Sequence, residues 1–110
     1  MTTKTFRDLE HDGWLERAAS YEFITPVTKQ AIEPLLATFG DINNQRLLEV
    51  ACGPGHLAAR AAEQGADIVG VDFAKTMIEL ARSNYPYGQF LEGDAEHLDF
   101  AANSFDGVVC

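Results

Sequence analysis

The sequence predicts an α/β fold built as half of a doubly wound parallel sheet. Short runs rich in Val, Ile, Leu or Phe alternate with helical segments of about ten residues. Each apolar run is too short for a helix, and most read as strands buried on both faces of a sheet. Strands that alternate with helices imply right-handed crossovers and therefore a parallel sheet.

Four strands and two crossover helices are predicted from residue 46 onward. The strands are RLLEVA, ADIVGVD, GQFLEGD and FDGVVC, at residues 46–51, 66–72, 88–94 and 105–110. An alanine-rich helix over residues 57–64 ends at Gly65, and a second helix over residues 75–84 ends near Pro86. We assign residues 46–110 to the ligand-binding core.

The residues before the sheet predict a helical cap, which we place at residues 1–45. Apolar residues recur at helical spacing within residues 14–39, and Thr25 is the expected N-cap with Pro26 at the first helical position. Pro34 is expected to interrupt or kink this helix because proline lacks the backbone N–H.

Composition limits the classes of function. The chain has 110 residues, 46% of them hydrophobic, which suits one small domain. It carries 8 basic against 17 acidic residues, a net charge of -9, which argues against a nucleic-acid partner. No apolar run approaches the ~20 residues of a membrane span, and no signal peptide is evident, so a cytoplasmic protein is expected. Cys52 and Cys110 have no metal-ligand spacing and are expected to be small buried hydrophobes.

The chain ends on the fourth apolar run, at Cys110, with no polar segment after it. A buried strand is an unusual place for a protein to end, so we expect a truncated product.

The turn after the first strand is the expected ligand site. Gly53 and Gly55 allow a sharp bend and a close approach of a ligand to the main chain. Asp72 ends the second strand, 19 residues after the first glycine, where a carboxylate can accept hydrogen bonds from both hydroxyls of a ribose. GPGHLA also fits the dinucleotide fingerprint, but Glu49 would repel a diphosphate by ~1–4 kcal/mol at about 4 Å. A ligand with an ammonium and a sulfonium, such as S-adenosylmethionine, would be attracted instead.

An adenine ring has its own candidate residues. Asp94, just past the third strand, could accept from the exocyclic amine, and the backbone N–H of Ala95 could donate to a ring nitrogen. Phe73 and Met77 are the candidate apolar walls. A turn role for Asp94 and a core role for Met77 remain open alternatives.

Four ordered segments carry a family resemblance: LLEVACGPGHLA, VGVDFAKTMIELAR, FLEGDAEHLDF and NSFDGVVC. They resemble the first four motifs of class I S-adenosylmethionine-dependent methyltransferases, in particular those acting on small molecules and lipids, such as the ubiquinone and menaquinone enzymes. The resemblance implies a Rossmann-like sheet of seven strands in order 3-2-1-4-5-7-6, of which this chain supplies four. By this resemblance the fourth strand would be an unpaired, apolar sheet edge, which favours pairing with a second copy of the chain, as a homodimer, or aggregation. It also implies contacts to the methionine part of the cofactor from Glu49, Ala51, Gly53 and Gly55.

The resemblance names no catalytic residue. Methyl transfer from a sulfonium depends mainly on positioning of the acceptor, so a base is not always needed. His56 is the nearest histidine to the turn, and we expect its ring to face solvent. Tyr21 and Phe23 in the cap are candidates to close over the cofactor or touch a small-molecule acceptor.

Two other classes of function stay open from the sequence. One is an NAD-dependent oxidoreductase, which Glu49 disfavours. The other is a non-catalytic binding module whose sheet is completed by a partner strand.

Overall fold

The computed structural model describes residues 3–17, 20 and 23–110. The sheet has four parallel strands: β1 (Arg46–Val50), β2 (Asp67–Asp72), β3 (Gln89–Glu92) and β4 (Gly107–Val109). Their spatial order is β3-β2-β1-β4, so the direction of winding reverses beside β1. The predicted parallel sheet and the order of the family's first four strands are confirmed.

The helices before the sheet are α1 (Phe6–Arg17), α2 (Thr25–Thr28) and α3 (Ile32–Ala37), with a 3-10 turn at Lys29–Ala31 joining the last two. The crossover helices are α4 (His56–Glu63) and α5 (Lys75–Asn84). The bounds of α5 equal the predicted ones, and α4 is displaced by one residue.

Burial differs between the central and edge strands. In β1 and β2, three and five successive residues are buried, as expected of strands covered on both faces. In β3 and β4, only Phe90 and Val109 are buried. The expectation of strands buried on both faces is therefore wrong for these two, because each is a sheet edge with a single neighbouring strand.

The two faces of the sheet are covered by different kinds of structure. Helices α3, α4 and α5 pack on one face, where Leu36, Ala61 and Ile78 join Leu47 of β1 in the main core. On the other face, Leu48 of β1 belongs to a smaller cluster. Its cover comes from the segment before β4, through Leu98, Phe100 and Phe105.

The predicted helix over residues 14–39 is wrong in its bounds. Helix α1 begins at Phe6 because Thr5 and Asp8 form a capping box: the Thr5 backbone N–H donates to Asp8 at 2.9 Å, and the Asp8 N–H donates to Thr5 Oγ1 at 3.1 Å. The N-cap of α2 is Ile24, which leaves Thr25 inside the helix and Pro26 one position later than expected.

Pro34 lies in the first turn of α3, and the 3-10 turn immediately precedes this helix. Proline cannot donate to the carbonyl four residues earlier, so the chain tightens there, as predicted for an interruption at this position.

Cys52 is 5% exposed, as expected of a buried residue. Cys110 is exposed, so the expectation that it is buried is wrong. Among the helices of the described ranges, none is both long and apolar enough to cross a bilayer.

Candidate functional site

The carboxyl ends of β1, β2 and β3 meet at one edge of the sheet and form a crevice there. In parallel sheets, ligands bind outside the carboxyl ends of strands, where the winding reverses. The structure brings Ala51, Asp72 and Asp94 to the walls of one cavity at this edge, with a volume of about 240 Å³. Successive members of this set are more than 20 positions apart in sequence, so it is the fold that brings them together.

In the turn after β1, three alternate residues have a left-handed backbone conformation. Ala51, Gly53 and Gly55 have φ values of 58°, 53° and 88°. Glycine adopts this region without strain, whereas alanine has a Cβ that disfavours it. Ala51 is thus held in a conformation that the turn imposes.

Gly55 is required by packing as well as by conformation. A Cβ on Gly55 would lie 2.7 Å from the Phe90 ring and 3.1 Å from Ala81. The absence of a side chain lets the start of α4 approach β3 and α5 closely. A side chain at this position would point into the protein. The contact of Gly55 with a ligand therefore stays a prediction.

Asp72 ties the glycine turn to the second crossover. Its Oδ2 accepts from the backbone N–H of Gly53, and its Oδ1 accepts from the N–H of Ala74, each at 2.9 Å. Asp72 is 7% exposed. Asp72 therefore holds the start of α5 through the N–H of Ala74, which itself provides no side-chain cap to this helix. A carboxylate has about four lone-pair sites, so two remain for other donors.

Glu49 is the most unusual group of the site. It is 7% exposed, and its Oε1 has no hydrogen-bond partner among the described residues. The pKa of this carboxyl is raised to about 8, mainly because the group is buried. A backbone hydrogen bond from Ala58 lowers the pKa, and the charge of Asp72 raises it further. A buried acceptor without a donor costs free energy unless something supplies one.

A cavity of about 140 Å³ lies against Glu49. Its walls come from the glycine turn, the start of α4 and the cap, and include Ala51, Cys52, His56, Leu57 and Ile32. Burial raises the pKa of the Cys52 thiol, so this cysteine is a neutral, inert wall.

His56 differs from the expectation of a solvent-facing ring. It is partly buried, and its Nδ1 lies 2.6 Å from the Tyr85 hydroxyl. The two rings meet edge to face at 5.6 Å. This contact links the start of α4 to the end of α5.

The adenine candidates occupy different environments. Asp94, Ala95 and Phe73 all line the 240 Å³ cavity. Met77 is 2% exposed and packs with Ala74 beneath Trp14 and Leu15. This agrees with the alternative prediction that Met77 is a core residue. Its assignment as an adenine wall stays a prediction.

Sequence reasoning missed the residues of α1 that reach the crevice. Arg7 makes an ion pair and a hydrogen bond with Asp94, and a ring nitrogen of His11 lies 3.0 Å from the Phe73 carbonyl. The capping box of Thr5 and Asp8 could have revealed the helix, but no local pattern connects Arg7 to a residue 87 positions away. In the cap, Phe23 is 90% exposed, and Tyr21 lies outside the described residues.

Comparisons with known proteins agree with this architecture. Residues 47–110 match the family model described as "Methyltransferase domain", so the chain belongs to that family. A demethylmenaquinone methyltransferase from Renibacterium salmoninarum is 41% identical over 70 residues, which cover 64% of this chain and 30% of that protein. The corresponding protein of Thermotoga maritima is 30% identical over 86% of this chain and 41% of its own length.

A solved S-adenosylmethionine-dependent methyltransferase from Mesorhizobium loti superimposes with a TM-score of 0.64 and 26% identity, covering 71% of this chain and 38% of that one. The predicted resemblance to class I S-adenosylmethionine-dependent methyltransferases is confirmed. The chain spans less than half the length of these relatives.

Proposed function

We propose that this chain binds S-adenosylmethionine and forms the cofactor-binding part of an enzyme that methylates a small molecule. The observation that carries the proposal is the buried carboxylate of Glu49, whose Oε1 lacks a donor within the described ranges and lies at the cavity beside the glycine turn. An ammonium group is the kind of donor that this carboxylate lacks.

The carboxylates of the crevice fit such a ligand. Glu49 and Asp72 are both buried, and the charge of Asp72 contributes to the raised pKa of Glu49. A cation relieves this repulsion, whereas a diphosphate would increase it. The NAD-dependent alternative is therefore disfavoured by the charge of the site.

Different residues of the crevice would contact different parts of the ligand. Glu49 would hold the ammonium of the methionine part, with Ala51, Gly53 and Gly55 as main-chain neighbours. Asp72 would accept from the ribose hydroxyls, while Asp94 and Ala95 would meet the adenine edge beside Phe73. When bound, S-adenosylmethionine supplies a methyl group on a positively charged sulfur, which leaves the protein to bind, orient and exclude water.

Calorimetric titration of the chain with S-adenosylhomocysteine and, separately, with NAD tests the proposal. We expect saturable binding of the first ligand and none of the second. Glu49→Gln removes the carboxylate that would face the ammonium in the complex, with little change in shape, and we expect at least a tenfold loss of affinity, or about 1.4 kcal/mol.

The matched control is Glu79→Gln, since Glu79 is an exposed residue of α5 whose nearest cation is Lys75 at 4.0 Å. This variant loses the same charge at a distance from the crevice, so its affinity should equal that of the unmodified chain. Binding of NAD, or equal losses in the two variants, would contradict the proposal.

The methyl acceptor is proposed to be a small molecule, supported by relatives named for demethylmenaquinone methylation. We assign residues 1–45 as the cap and residues 46–110 as the cofactor core, and we propose Tyr21 and Phe23 as cap residues that contact the cofactor or the acceptor. The 90% exposure of Phe23 supports this role, since an exposed aromatic ring is available for contact. A cytoplasmic location belongs to the same proposal.

The edge strand β4 supports a second candidate, a module whose sheet is completed by another strand. In the described sheet β4 pairs with β1 alone, and Val108 is 58% exposed. A second copy of the chain would be one such partner, giving a homodimer. Sedimentation equilibrium tests this: a concentration-dependent dimer that Val108→Lys dissociates would support edge pairing, and a monomer throughout would exclude it.

A further inference from the structure

Helix α1 contacts the core at the residues proposed to hold adenine. Arg7 binds the carboxylate of Asp94, and His11 contacts the carbonyl and the ring of Phe73, with ring centroids 5.2 Å apart. Trp14 and Leu15 pack against Met77. The attachment of α1 and the proposed adenine site therefore involve the same three core residues.

The attachment of α1 is shallow. None of its twelve residues is buried, although Trp14 and Leu15 are partly covered. The Arg7 side chain is 54% exposed and that of Asp94 is 26% exposed, and ion pairs this open contribute about 0–1 kcal/mol. A helix held by such contacts can be displaced by a ligand at modest cost.

Arg7 also lines two neighbouring cavities. It lines the 240 Å³ cavity of Asp72 and Asp94, and it lines a neighbouring cavity of about 440 Å³ that includes Asp8, His11 and Glu92. Phe73, Gly93 and Asp94 are walls of both. Arg7 is thus a wall that the two cavities share with these residues.

The carboxylate of Asp94 is already engaged on both oxygens. Oδ2 accepts from Arg7, and Oδ1 accepts from the backbone N–H of Glu96 at 3.0 Å. The Glu96 bond belongs to a local turn, so Arg7 is the partner that an incoming amine would displace. Two lone-pair sites of this carboxylate stay open, so the competition is for the space beside Oδ2: Arg7 and Asp94 line the same 240 Å³ cavity, and an amine that enters it meets the Arg7 guanidinium there.

We propose that α1 is a strap responsive to adenine, in which Arg7 occupies the Asp94 carboxylate and yields it when an adenine amine binds. The proposal rests on the proposed function, because it takes Asp94 as the adenine acceptor. It predicts that Arg7 opposes binding of the nucleoside, which is the reverse of the effect of an ordinary site residue.

Arg7→Gln tests this by calorimetry with S-adenosylhomocysteine. Removing the competitor should tighten binding about two- to fivefold, the range set by the small free energy of an exposed ion pair. Arg17→Gln is the matched control, since Arg17 is on the same helix but contacts Gly13 and Trp14. It changes the net charge equally and should leave the affinity unchanged.

A second ligand isolates the amine. S-inosylhomocysteine carries a carbonyl where adenine has its exocyclic amine, so it lacks the donor that the proposal assigns to Asp94. With this ligand Arg7→Gln should give no gain. In an Asp94→Asn background the gain with S-adenosylhomocysteine should also disappear, because the two changes act on one contact.

Trp14 is the only tryptophan of the chain and lies on α1, so its fluorescence reports on the strap directly. We expect S-adenosylhomocysteine to shift the emission and S-inosylhomocysteine to shift it much less. If S-adenosylhomocysteine binds but Arg7→Gln leaves affinity unchanged or weakens it, the strap is disproved while the proposed function stands. If it does not bind the unmodified chain at all, both proposals fail.

Discussion

Asp72 and Gly53 are joined across two strands: the carboxylate at the end of β2 accepts a 2.9 Å hydrogen bond from the backbone N–H of the turn that follows β1. The same carboxylate also accepts from Ala74. One side chain thus holds the glycine turn and the start of α5 in fixed relation, before any ligand contact is considered.

Replacing Asp72 should therefore destabilise the fold. Asp72→Ala leaves two backbone N–H groups without their acceptor, and we expect the free energy of unfolding to fall by about 2–4 kcal/mol. Asp72→Asn keeps one acceptor oxygen and should cost less. Urea denaturation measures both. Asp67→Asn, at the exposed start of β2, is the control and should stay within about 0.5 kcal/mol; an equal loss there would contradict the role of Asp72.

The raised pKa of Glu49 makes the stability of the fold depend on pH. Its pKa is about 8 in the folded chain against an ordinary 4.5, so the folded state holds the proton more tightly than the unfolded state. The stability that the folded chain gains by holding this proton is fully present below about pH 4.5 and is lost as pH rises toward 8. At about 1.4 kcal/mol per pKa unit, the loss is at most ~5 kcal/mol. Glu49→Gln should remove this slope in urea denaturation between pH 5 and 8, and a parallel slope in the variant would refute the assignment.

Cation binding should be coupled to release of the Glu49 proton. An ammonium beside this carboxyl lowers its pKa, so binding of S-adenosylhomocysteine near pH 7 is expected to release up to one proton. Calorimetry in buffers of different ionisation enthalpy measures the number released. Affinity should rise between pH 6 and 8 in the unmodified chain and stay flat in Glu49→Gln. Proton uptake on binding would be inconsistent with Glu49 as the ammonium partner.

Gly55 is required both for its positive φ and for close packing. Comparing alanine substitutions at Gly55 and at Gly40 separates these two effects. Gly55→Ala adds a Cβ 2.7 Å from Phe90 at a φ of 88°, whereas Gly40→Ala adds one at a φ of 73° with nothing within 4 Å. We expect about 1 kcal/mol of strain at Gly40 and about 2–4 kcal/mol at Gly55, the excess being overpacking. Phe90→Leu should recover part of the Gly55 loss. Equal costs at the two positions would mean that packing is irrelevant.

Ala51 offers the opposite test, because it occupies a left-handed position without being glycine. Its φ is 58°, which costs an L-residue about 1–2 kcal/mol. Ala51→Gly relieves this strain but adds unfolded-state entropy, so the net change should be neutral to about 1 kcal/mol stabilising. Thermal unfolding measures it. Ala62→Gly, in the last turn of α4, should instead lose about 1 kcal/mol, and a similar loss at Ala51 would show that the turn is unstrained.

The strands and crossover helices were predictable because their signals are local. Apolar runs and the intervening helical segments place β1 to β4 within a few residues, and the bounds of α5 agree with the prediction. The start of α1 was missed because the Thr5 and Asp8 pair lies in a polar stretch without helical hydrophobic spacing. A capping signal without an apolar face is easily read as loop.

The site was predictable to the extent that strand ends determine it. Asp72 and Asp94 reach the same cavity because they follow parallel strands. The burial of Met77 and the pairing of Arg7 with Asp94 depend on where α1 packs, which no short-range pattern specifies. Long-range contacts of a shallow helix are set by tertiary packing alone.

The order of strands has a consequence for how the chain matures during synthesis. All the walls of the Asp72 and Asp94 cavity come from residues between Arg7 and Glu96, and β4 begins only at Gly107. Because chains emerge from the ribosome N-terminus first, every wall of this cavity is translated before the last strand. The proposed nucleoside part of the crevice is thus fully translated before β4, whereas the cavity beside Glu49 also has Cys110 among its walls.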